Sequence, residues 1–166
     1  MKKSSNTNSN PSRHNINALI LALSLVSLAG DAQAKFVAGM TAQQLSQEVK
    51  VWLKSGKAPD AIARAAHDAG LNSEQVASCL IESGQNPAAV VAALIKIDPQ
   101  AAVLITVAAL TMKPAQASAI TAAAVSAAPQ QSRAIILEAL TVPEVNPSDV
   151  LSATASGGGV VPGESH

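Results

Sequence analysis

The chain has 166 residues, is 48% hydrophobic and carries 11 basic and 11 acidic side chains, for a formal net charge of zero. Neutrality gives nucleic acid or an anionic membrane no electrostatic hold on it. A single cysteine excludes an internal disulfide framework, and 1% aromatic content leaves an aliphatic core.

Residues 1–34 read as a targeting segment. Lys2, Lys3 and Arg13 make a basic start, an apolar run follows from Ala18 to Ala29, and Ala32-Gln33-Ala34 puts small residues where a signal peptidase cuts. The run is shorter than the roughly 20 apolar residues of a membrane span. Cleavage after Ala34 would release a chain starting at Lys35, periplasmic or secreted, in a bacterial envelope. That chain has 8 basic residues (11 less three in the leader) and 10 acidic ones (11 less Asp31). It reads as one helical domain over 35–154 and a disordered tail over 155–166, where three glycines run together and Pro162 follows.

The first helix is expected from Thr41 to about Ser55. Thr41 and Gln44 have capping-box spacing, and Gly56 supplies a left-handed stop. Leu45, Val49, Trp52 and Leu53 recur at helical spacing, so Trp52 anchors this helix to its neighbours. A second helix spans Pro59–Ala69 and stops at Gly70. It carries Asp60, Arg64 and His67 on its outer face, where Asp60 and Arg64 have ion-pair spacing. A third opens at Asn72, with Gln75 three residues on, and stops at Gly84. Asn86-Pro87, Asp98-Pro99, Lys113-Pro114 and Ala128-Pro129 open four more, and Asn146–Val150 a last short one.

Proline is tolerated at the first helical position because its missing N–H has no partner there. Pro59, Ser73, Pro87, Pro99, Pro114 and Pro129 therefore mark helix restarts at spacings of 14, 14, 12, 15 and 15, with Pro147 a longer step on. These spacings predict an all-α array of about seven short antiparallel helices, resembling an α-solenoid. The period of about 28 residues per helical pair is shorter than the 34 of tetratricopeptide repeats, whose signature residues are missing.

From Pro99 to Ala128 the only charged side chain is Lys113. Such a stretch is either the covered centre of the array or an interface, because interface cores are depleted of charge. On the interface reading, Thr106, Thr111, Gln116 and Thr121 are the candidate contact residues.

Little in the chain points to catalysis. It has no paired histidine or cysteine motif for a metal and no glycine loop leading into a helix, so no cofactor is expected. A thiol enzyme would need Cys79 and His67 to meet with a third group to orient them. Cys79 sits among Val76, Leu80 and Ile81, which suits a buried, inert thiol better. The sequence is best read as an exported helical protein that binds a protein partner or itself, without catalysis. The alternatives are a carrier of lipid or another apolar ligand and the thiol enzyme. Neither nucleic acid nor a membrane span is expected in the processed chain.

Overall fold

The computed structural model describes residues 35–156. The expected leader and the tail from residue 157 lie outside the described residues. The described residues form eight helices and no strand: α1 (Ala42–Lys54), α2 (Pro59–Asp68), α3 (Ser73–Glu82), α4 (Pro87–Ile97), α5 (Ala102–Met112), α6 (Ala117–Ala127), α7 (Ser132–Ala139) and α8 (Pro147–Ser156).

The helices are joined in two ways. In the first half each ends on a glycine in the left-handed region. Gly70 (φ +75°) shows why: its N–H donates to the His67 carbonyl at 2.8 Å, and Leu71 N–H reaches back to the Ala66 carbonyl at 3.0 Å. This closes the helix in a conformation that side-chain-bearing residues resist. Gly56 and Gly84 do the same for α1 and α3. Capping side chains then restart the chain. Thr41 and Gln44 form the expected reciprocal box, and Asn72 and Asn86 accept N–H groups from the first turns of α3 and α4.

In the second half proline replaces glycine. Asp98, Lys113 and Ala128 each precede a proline and take nearly the same non-helical conformation (φ −128°, −139° and −133°, with ψ 79°, 61° and 69°). Clash with the proline ring disfavours the helical region for these residues. Pro99, Pro114 and Pro129 then open one 3₁₀ turn each, and the α-helix begins three residues later.

This corrects the sequence-based phasing. Pro59, Pro87 and Pro147 stand at the first α-helical residue, whereas Pro99, Pro114 and Pro129 stand three residues ahead of it. Counted between α-helix starts from Pro59, the spacings are 14, 14, 15, 15, 15 and 15. The short step to Pro99 and the long step to Pro147 disappear.

Numbering each helix from 0 at its first residue exposes one burial pattern. Position 3 is Ile62, Val76, Val90, Ile105, Ile120, Ile135 and Val150 in α2 to α8, and all seven are fully buried. Each is β-branched and therefore stiff at χ1, which suits a fixed packing site despite a slightly lower helix propensity. Position 7 is Ala66, Leu80, Leu94, Ala109, Ala124 and Ala139 in α2 to α7, equally buried. Alanine there lets neighbouring backbones approach closely. Burial of each Val or Ile contributes roughly 1.5–3 kcal/mol.

Each helix packs mainly on the helix two places away. The most extensive contacts are α4 with α6 and α6 with α8, followed by α3 with α5 and α2 with α4. The even helices therefore stack as one layer and the odd helices as the other, as in a solenoid. The chain turns by 118° between Pro99–Met112 and Pro114–Ala127. Two hydrogen bonds brace the odd layer at its helix starts. Ser73 Oγ donates to Asp98 Oδ2 at 2.7 Å, and Gln131 Nε2 donates to the Pro99 carbonyl at 2.6 Å.

Candidate functional site

The four candidate contact residues separate. Thr106 and Thr121 are buried at position 4 of α5 and α6. Burial inside the stack prevents both from meeting a partner in the folded protein. Thr106 Oγ1 donates to the Ala102 carbonyl at 2.7 Å, while Thr121 Oγ1 is buried without a hydrogen-bond partner. Thr111 and Gln116 are exposed. The Thr111 hydroxyl is turned back onto the Val107 carbonyl at 2.8 Å. The uncharged stretch is thus mostly the covered centre of the stack.

Cys79 and His67 are not brought together. Cys79 is buried, with Sγ 4.0 Å from the Ala42 carbonyl at the start of α1, whereas His67 is exposed on α2. Burial pushes the Cys79 thiol above its ordinary range. Glu82 adds to this and Lys50 opposes it. A raised pKa suppresses the thiolate, the reactive form. The expected Asp60–Arg64 pair does not close, and among the described residues no cluster of three metal-ligating side chains occurs.

Surface depressions among the described residues include two on the helical stack. One is lined by Ala42, Gln43, Ser46, Gln47, Lys50 and Glu82, the other mainly by Gln85, Asn86, Lys113 and Gln116 around Gly84. The second lining is the more polar of the two, while the first is about evenly polar and apolar. Among the described residues no single helix is long and apolar enough to cross a membrane.

The two ends of the stack differ. At the N-terminal end, Leu45 and Val49 at positions 3 and 7 of α1 are fully buried, while Glu48 and Trp52 are half-buried. Here the chain covers its own end. Phe36 is buried against Trp52, with ring centroids 5.0 Å apart. Trp52 is therefore an anchor, as its spacing predicted, but for the segment that precedes α1.

At the C-terminal end, α7 has α5 on one side and no described helix on the other. Four positions become more exposed together. Position 8 is Leu110 (0% exposed) in α5, Val125 (4%) in α6 and Leu140 (38%) in α7. Position 5 is half-buried in α5 and α6 as Val107 and Ala122, but in α7 it is Leu137, 55% exposed. Position 4 passes from buried Thr106 and Thr121 to half-buried Ile136, and position 1 from half-buried Val103 and Ser118 to exposed Arg133. In the even layer Leu151 of α8 is 54% exposed, where Val91 and Thr121 are fully buried. Positions 4 and 8 are buried throughout α3 to α6, whereas in α2 the residues at positions 5 and 8, Arg64 and His67, are polar and exposed. Taking Pro99, Pro114 and Pro129 as helix starts keeps α5, α6 and α7 in step with one another but sets them three residues out of step with α4 and α8.

No protein-family model matches the chain, and comparison with curated proteins and with solved structures gives no match.

Proposed function

We propose that this protein works by binding or self-assembly, without catalysis, as an exported helical stack of the bacterial envelope, and that the C-terminal end face is where it binds. One observation carries the reading: Leu137 and Leu140 are exposed, where position 5 of α3 to α6 is half-buried and position 8 is buried. Solenoids need terminal helices with a polar outer face to stay soluble alone. Exposed aliphatic side chains grouped on one face mark an interaction site. The raised thiol pKa of Cys79 and the exposed setting of His67 weigh against the thiol enzyme. The basic start and Ala32-Gln33-Ala34 support export.

A photo-crosslinking side chain at Leu137, compared with one at Leu104 on the solvent-facing side of α5, tests the binding reading in the producing cell. Leu104 is equally exposed, at 56%, but lies off the end face. Adducts are expected from 137 and not from 104. Equal labelling at both, or none at either, would remove the end face as the site. Intact mass tests export, with a mature chain beginning at Lys35 expected.

A further inference from the structure

We infer that the occupant of the end face is the same face of a second copy, with the two α7 helices antiparallel about a two-fold axis. Leu137 and Leu140 lie at the centre, and Arg133 of each copy lies against Glu144 of the other. This rests on the reading that the end face binds.

The charges of α7 favour this arrangement. A helix carries partial positive charge at its N-terminus and partial negative charge at its C-terminus. Helix α7 is charged the other way round. Arg133 lies in its first turn, Glu138 in its last, and Glu144 in the loop that follows. Among the described residues none of the three makes an ion pair. Within one chain each charge sits at the unfavourable end. An antiparallel second α7 brings the first turn of one helix beside the last turn of the other. Both arginines then approach a negative helix end and an acidic loop, and both sets of glutamates approach a positive end. The two-fold symmetry doubles each gain, because the same surface serves both copies.

The opposite end of the stack suits this face less well. Head-to-tail docking would bring this face to the α1 end, where Phe36 is already buried against Trp52. Two-fold docking leaves Phe36 in place and closes at two copies.

The area sets the strength. Two helices about 10 Å apart, each about 12–15 Å long, present roughly 300 Å² in projection. Stable interfaces bury about 800 Å² per partner. The expected product is a reversible dimer with Kd on the order of micromolar rather than an obligate one.

Sedimentation velocity over a concentration series, on the protein in the form the cell accumulates, tests this directly. The expected result is a monomer–dimer equilibrium with no larger species. Leu137→Asp should weaken it at least tenfold, and Leu104→Asp should leave it unchanged. Arg133→Glu and Glu144→Arg should each weaken it severalfold, and the double reversal should restore it. The charge variants alter exposed side chains, so they report on the interface even if an aspartate at 137 perturbs folding. A monomer at all concentrations to about millimolar, growth beyond two copies, or no restoration in the double variant would overturn the proposal. A monomer that still crosslinks at 137 to a chain of different mass would overturn the second copy while leaving the binding reading intact.

Discussion

The first three joints of the stack turn on glycine, and the next three turn on proline. Yet the helices on either side obey one burial pattern. Gly56, Gly70 and Gly84 close their helices in the left-handed region, and across the Gly70 and Gly84 joints each new helix starts 14 residues after the last. Pro99, Pro114 and Pro129 instead follow a non-helical residue and open a 3₁₀ turn, and the spacing becomes 15. Position 3 is a buried Val or Ile in both halves. The pattern that defines the repeat is therefore the buried face. The joints are interchangeable ways of returning the chain to it, and the longer one costs a single extra residue.

The largest expected effects should not distinguish the halves. Ile62→Ala in the glycine half and Ile120→Ala in the proline half each remove a fully buried β-branched side chain. Both should cost about 2–5 kcal/mol by urea unfolding. A cost confined to one half would show that the halves do not share a core.

The joints should differ where the cores do not. At Gly70 an added Cβ would meet nothing within 4 Å, so the cost of Gly70→Ala is that of the backbone alone, about 1–2 kcal/mol. Pro114→Ala loses only the restriction proline places on the unfolded chain, about 0.4–1 kcal/mol. Thermal melts of the two variants should rank them in that order.

A comparison inside the proline half is finer. Thr106 and Thr121 occupy the same buried position, but only Thr106 has a partner for its hydroxyl. Thr121→Val should stabilise by about 1 kcal/mol, since an unsatisfied buried hydroxyl is replaced by a methyl group of similar shape. Thr106→Val should gain less or lose slightly. Equal effects would mean that both hydroxyls are satisfied in solution.

The smallest effect concerns pH. The Cys79 thiol is held above its ordinary range by burial, so the unfolded chain loses this proton first as pH rises. The neutral thiol's contribution is intact below the unfolded value and is lost as pH climbs through the folded one. Alkylation of native Cys79 should be slow at pH 8 and much faster in denaturant. Equal rates would show an accessible thiol.

Much of this fold was legible in the sequence. Proline, glycine and cap residues located the helices, and Thr41, Asn72 and Asn86 cap as their residue types suggest. The true phase was harder to read. Proline can open either an α-helix or a 3₁₀ turn, and an Xaa-Pro pair alone does not tell Asp98-Pro99 from Asn86-Pro87. The row of Val and Ile at position 3 carries the phase and was the usable signal. The candidate site was less legible. Thr106 and Thr121 are uncharged because they are covered, whereas the exposure of Leu137 and Leu140 depends on which helices stack on α7, which the sequence alone does not give.

Methyl NOE spectroscopy tests the central claim, stacking of each helix on the one two places away. The account predicts strong cross-peaks between the methyls of α4 and α6, and between those of α5 and α7. Cross-peaks restricted to helices adjacent in sequence, with none between α4 and α6, would contradict it.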